Sequence, residues 1–130
     1  MEKIELIIVP LRNVLNAYVH RCPTLGYCQG WNSIAARLLM VMNEEEAFWM
    51  LVQIMEVYLP LDYYLLGVLI DQRVFKDLMQ KKLPKLCRHL EYYEFDVDLL
   101  LTKWLICLFI NHLPLETELV VWDLFFIKGI

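Results

Sequence analysis

At 130 residues and a net charge of −4, the chain fits one domain with its own core, and its scattered lysines and arginines form no basic face for nucleic acid. Hydrophobic residues make up 59%, which predicts helices buried on several sides or the inner part of a larger domain. Lys103 and Asp123 interrupt the longest apolar runs, excluding a transmembrane span, and the acidic start Met1-Glu2-Lys3-Ile4-Glu5 is unlike a signal peptide, so a cytoplasmic protein is expected.

Ile4 to Val9 is a short apolar run that assigns itself to no element. From Pro10, placed at a first helical position, Leu11, Val14, Leu15 and Tyr18 share one helical stripe until Pro23. A glycine-bracketed turn, Gly26-Tyr27-Cys28-Gln29-Gly30, follows. The next helix places Ile34, Ala35, Leu38, Val41 and Met42 on one face and Ser33 with Arg37 on the other. Asn43 caps a third helix, with Glu44, Glu45 and Glu46 at the positive end of its dipole. Its buried stripe of Ala47, Phe48, Leu51, Met55 and Tyr58 ends at Pro60.

Leu61 to Tyr64 reads as a loop or single turn. Helical spacing resumes in Val68, Leu69, Val74, Phe75 and Leu78, around a polar insertion in which Asp71 and Arg73 are expected to pair at the surface or else to belong to a partner-binding face. Pro84 starts a short helix with Leu86, Leu90 and Tyr93 on its apolar side. Asp96 or Asp98 begins a helix that runs to the Leu113-Pro114 break, with Leu101, Trp104, Leu105, Leu108 and Phe109 on a core face. The last helix carries Leu115, Leu119, Trp122 and Phe126, with Gly129 as its stop. Helix after helix with no intervening strand predicts an all-α, bundle-like packing of short helices.

Chemistry-bearing motifs are few. Cys22, Cys28, Cys87 and Cys107 form no C-x-x-C pair and are expected as reduced thiols. Neither His20, Cys22 and Cys28 nor Cys87 and His89 match a zinc spacing, and nothing local activates Cys28 as a nucleophile, so no metal site is expected. Gln29 is different. Gly26 and Gly30 tolerate backbone conformations that residues with a Cβ resist, so the turn can offer one amide to a partner. Local spacing by itself also accommodates Gln29 as a solvated turn residue between two helices.

Tyr27-Cys28-Gln29-Gly30-Trp31-Asn32 resembles the Tyr-x-Gln-Gly-Met-Asn signature of TBC domains, the GTPase-activating domains for Rab GTPases. Further segments agree in order: Glu44-Glu45-Glu46-Ala47-Phe48-Trp49, Tyr58-Leu59-Pro60, Asp71-Gln72-Arg73-Val74-Phe75, Leu83-Pro84-Lys85-Leu86, and Trp122-Asp123-Leu124-Phe125-Phe126. The resemblance runs from about Pro10 to the end. It implies an all-α fold of TBC-domain type, with residues 1–130 a partial domain truncated at both ends. It further implies that Gln29 acts as a glutamine finger in a Rab nucleotide site, supported by Tyr27 and Gly30, with GTP and Mg²⁺ belonging to the GTPase and no cofactor of its own. A Rab partner implies a role in vesicle trafficking, as a GTPase activator acting in trans, with peripheral endomembrane association through the Rab.

Three departures stand beside the resemblance. The family's arginine finger lies in an Ile-x-x-Asp-x-x-Arg segment upstream of the helix matching Pro10 to Arg21, and Met1 to Val9 contains none. Trp31 replaces the usual methionine. Val120-Val121-Trp122-Asp123 stands where the family has Arg-x-Trp-Asp. The alternative to a GTPase activator is therefore a non-catalytic Rab-binding or scaffolding module.

Overall fold

A computed structural model describes residues 2–60 and 62–128. These form seven α-helices: α1 (Glu2–Arg21), α2 (Trp31–Leu39), α3 (Glu44–Gln53), α4 (Val68–Lys82), α5 (Pro84–Tyr92), α6 (Val97–Ile106) and α7 (Leu115–Lys128). Two π-helical turns, Ile54–Tyr58 and Tyr63–Gly67, join α3 to α4. No strand occurs among the described residues. Leu61, the first residue of the expected loop, and Gly129, the expected stop of the last helix, lie outside them.

The core is built where α1, α2 and α3 pack on one another. Val14 and Tyr18 of α1 meet Trp31, Ile34, Ala35 and Leu38 of α2, with Ala47, Leu51 and Val52 of α3 closing the third side. Leu108, Ile110 and Trp122 complete it from the far end of the chain. Asn43 makes the expected capping box: its side chain accepts from the Glu46 amide at 3.0 Å, and the Glu46 carboxylate accepts from the Asn43 amide at 3.1 Å. At the start of α6 the cap is Asp96, which accepts from the amides of Asp98 and Leu99. Pro84 opens α5.

Several expectations are corrected. Pro10 lies inside α1 and does not begin it; the proline removes one intrahelical donor, but the backbone stays helical on both sides. Helix α2 ends at Leu39, so Val41 is exposed and has left the buried face. Helix α6 ends at Ile106, well before Pro114, because Leu108, Phe109 and Asn111 all adopt positive φ (48°, 66° and 61°). Of its expected core face Leu101 and Leu108 are buried, whereas Trp104, Leu105 and Phe109 are half-buried.

The stripes read on α4, α5 and α7 are largely exposed: Leu69, Val74, Leu78, Leu86, Tyr93, Leu115 and Leu119 face outward. On α4 the buried position beside Val68 is polar, Gln72, whose amide donates to the Thr102 hydroxyl and to the Asp98 carbonyl at 3.2 Å. Asp71 and Arg73 form no ion pair among the described residues; Asp71 sits against the Tyr63 hydroxyl instead. No single helix among the described residues is long and apolar enough to cross a membrane.

Candidate functional site

The loop between α1 and α2 is closed at its start by the Gly26 amide, which donates to the Cys22 carbonyl at 3.3 Å. Gly26 (φ 64°) and Gly30 (φ 99°) both adopt the left-handed backbone that favours glycine. Between them Gln29 is exposed, and Tyr27 keeps 55% of its surface accessible. Gly30 itself is buried and caps α2: its carbonyl accepts from Ser33 and Ile34 amides at 3.0 and 3.2 Å. The turn therefore carries an exposed carboxamide immediately before a rigid helix.

Beneath the loop lies Trp31, which is fully buried. Three tyrosines meet it edge-on: Tyr18 at 4.9 Å between ring centroids, Tyr64 at 5.8 Å and Tyr27 at 6.2 Å. Edge-to-face pairs of this kind each contribute roughly 0.5–1.5 kcal/mol beyond their burial. The tryptophan that departs from the family's methionine is thus the floor of the loop and adds no bulk at its surface. A second support comes from the last residue of α6. A Cβ on Gly30 would lie 2.4 Å from the Ile106 carbonyl oxygen, so only glycine lets the loop approach that helix end.

Tyr64 is the side chain that sequence reasoning missed. Its hydroxyl donates to the Ile106 carbonyl at 3.1 Å, satisfying one of the acceptors that a helix leaves open at its C-terminus. Burial pushes the Tyr64 phenol far above its ordinary range, as it does for Tyr18, so the hydroxyl remains a donor. In the π-helical turn both tyrosines reach inward, and a Cβ on Gly67 would press on the Tyr63 ring at 2.9 Å.

Arg37 and Glu118 were also missed. Their ion pair closes at 2.7 Å, with Glu118 1% and Arg37 15% exposed at the side chain, so the face opposite the apolar stripe of α2 is covered at Arg37. The same carboxylate accepts from Arg37 Nη2 and from the Asn111 amide, each at 3.2 Å. Together with the Trp122 indole, which donates to the Leu108 carbonyl at 2.9 Å, it holds the left-handed segment that ends α6 beneath the loop.

The remaining chemistry is quiet. Burial, with the nearby Cys22, raises the Cys28 thiol above its ordinary range, and burial raises Cys107 against a hydrogen bond from Ser33 that lowers it; neither is poised as a thiolate nucleophile. Among the described residues no three His, Cys, Asp or Glu side chains gather where they could hold a metal ion. Of the arginines near the loop, Arg21 is held bidentately by Glu56, at 2.7 and 3.0 Å, and lies over the Trp49 ring. Arg12 is exposed and lines a groove with Ile8, Leu11, Leu15, Asn16 and Tyr27.

Residues 4–130 match the family described as the Rab-GTPase-TBC domain. The chain is 46% identical over 125 residues to TBC1 domain family member 2B of Xenopus tropicalis, and 45% identical over 123 residues to TBC1 domain family member 2A of Homo sapiens. These alignments cover 94% and 92% of the chain but 13% of each relative, so the chain spans about an eighth of their length. Among solved structures, the crystal structure of the Chlamydomonas flagellar RabGAP TBC domain superposes with a TM-score of 0.82 at 35% identity, covering 93% of this chain and 41% of that one.

Proposed function

Because the chain belongs to the Rab-GTPase-TBC domain family, we propose that it forms part of a Rab GTPase-activating domain whose Gln29 enters the nucleotide site of a Rab GTPase. The observation that carries this reading is the exposed carboxamide of Gln29, held between two left-handed glycines on a buried aromatic floor. A carboxamide offers both an acceptor for the attacking water and donors for a neighbouring phosphoryl oxygen. Presented rigidly, it orients that water for in-line attack on the γ-phosphate; GTP and Mg²⁺ come with the GTPase. The chain is then an activator in trans, with no turnover of a substrate of its own, and the process it controls is vesicle traffic at endomembranes reached through the Rab.

The second role such chemistry requires is a guanidinium that neutralises charge building on the phosphoryl oxygens. Arg21 and Arg37 are committed to Glu56 and Glu118, and Arg12, though exposed, lies on α1 at a position that does not match the family's Ile-x-x-Asp-x-x-Arg segment. An arginine delivered in this way is worth roughly 10³ to 10⁵ in rate. Residues 1–130 on their own are therefore expected to give little stimulation, and addition of an upstream Ile-x-x-Asp-x-x-Arg segment is expected to restore it. Single-turnover GTP hydrolysis across a Rab panel, with and without that segment, tests the reading. Gln29→Ala is expected to remove most of the stimulation while leaving circular dichroism unchanged. Full activity in that variant refutes the role of Gln29, and Rab binding without stimulation in every combination identifies a scaffolding module instead.

A further inference from the structure

Besides its aromatic floor at Trp31, the Gln29 loop is seated against one backbone group at the end of α6. The Ile106 carbonyl closes α6, faces Gly30 so tightly that a Cβ would meet it at 2.4 Å, and accepts from the Tyr64 hydroxyl at 3.1 Å. Neighbouring amides are engaged elsewhere: Leu108 donates to Leu105, Ile110 to Cys107, and Asn111 to Glu118. Tyr64 is thus the group that satisfies this carbonyl among the described residues. Its ring also stands edge-on to Trp31, so one side chain touches both supports of the loop.

We infer that Tyr64 is a positioning residue for the Gln29 loop, its hydroxyl fixing the Ile106 carbonyl against which Gly30 is seated. This rests on the proposed role of Gln29 and deepens it. Gly30 adjoins Gln29 directly, so any drift of the Ile106 carbonyl passes to the carboxamide through one peptide unit. Small displacements matter in such a site: misplacement by about 1 Å can cost roughly a hundredfold in rate. Tyr64 lies in a π-helical turn and is 35 positions from Gln29 in sequence, which is why local spacing gives no hint of the connection.

Tyr64→Phe tests the inference because it keeps the ring against Trp31 and removes only the donor. In the full chain joined to the upstream arginine segment, the maximal single-turnover rate of GTP hydrolysis is expected to fall about ten- to a hundredfold, with the half-saturating concentration unchanged. An unchanged rate overturns the inference. So does a loss confined to the half-saturating concentration, which would make Tyr64 part of Rab binding. A second arm reads the loop without the GTPase: in two-dimensional NMR of the full chain, Tyr64→Phe is expected to shift the Gly30 amide and Gln29 carboxamide resonances while those of Asn43 and Glu46 stay in place. Should the wild-type protein stimulate no Rab, the proposed function fails and this arm alone decides whether Tyr64 positions the loop; unmoved Gly30 and Gln29 resonances overturn it. Global unfolding of Tyr64→Phe also overturns it, since the hydroxyl would then hold the fold and not the loop.

Discussion

Replacing Gly30 by alanine would set two costs against each other in one experiment. The first is conformational: at φ 99° an L-residue is held outside its favoured wells, which costs about 1–3 kcal/mol. The second is steric, with the new Cβ 2.4 Å from the Ile106 oxygen and 2.9 Å from its carbon. That carbonyl is anchored by Tyr64 and belongs to the end of α6, so relief requires moving a helix terminus, an overpacking cost of about 1–3 kcal/mol. Together they amount to roughly 2–6 kcal/mol, against a total stability of about 5–15 kcal/mol for a domain. Gly26→Ala is the internal control. Gly26 is also left-handed, at φ 64°, but a Cβ there meets nothing within 4 Å, so only a backbone cost of about 1–2 kcal/mol applies. In urea unfolding of the full chain, followed by tryptophan fluorescence, the midpoint shift for Gly30→Ala is expected to be at least about twice that for Gly26→Ala at equal slope. Equal shifts, or a larger one for Gly26→Ala, would mean that the loop is not seated on Ile106.

Two further outcomes follow from the ion pairs. Glu118→Ala leaves Arg37 without its partner and the Asn111 amide without its acceptor, and is expected to cost about 3–5 kcal/mol, toward the lower end because Arg37 keeps 15% exposure and can be partly hydrated; a midpoint within error of wild type in urea would refute the clasp. Glu56 is held below its ordinary value of 4.5 by a hydrogen bond from Arg21, with their charge attraction adding and partial burial opposing. A carboxylate depressed in the folded state contributes stability that is present above 4.5 and is lost as pH falls through the lower, folded value. Arg21→Gln should raise the Glu56 midpoint measured by carboxyl-carbon NMR, and an unmoved midpoint would show that the pair does not persist in solution.

How much of this was legible depended on how far away each partner lay. The Asn43 to Glu46 capping box and the proline start of α5 are set by neighbours in sequence and appear where spacing placed them, and of the two aspartates offered for the start of α6 the structure takes Asp96. Pro10 misled because a proline signals a helix start only when nothing upstream is helical. The early end of α6 was hidden for another reason: the left-handed segment of Leu108, Phe109 and Asn111 is held by the Trp122 indole, which donates to the Leu108 carbonyl, and by the Glu118 carboxylate, which accepts from the Asn111 amide, and both lie on α7. Buried Gln72 and Glu118 look like surface residues until Thr102 and Arg37 are brought beside them. On α4, α5 and α7 the periodicity identified apolar stripes, but a stripe records which residues share a face and not what lies against it. Of the candidate site, the glycine-bracketed turn could be read directly; its floor could not, because Tyr18, Tyr64 and Ile106 reach it from separate helices and a π-helical turn.

The clasp between Arg37 and Glu118 joins positions 81 apart, whereas the packing of α1, α2 and α3 is closed within the first half of the chain. Contacts between near neighbours in sequence form quickly, and those that must close a long intervening loop form late. The order of assembly that follows is a three-helix nucleus first, with α7 docking afterwards and only then locking the left-handed segment under Ile106. Late contacts act on the rate of unfolding more than on the rate of folding. The Ile106 side of the seat of the Gln29 loop is therefore expected to become rigid after the three-helix nucleus and to loosen before it, while the Trp31 floor is ordered with that nucleus.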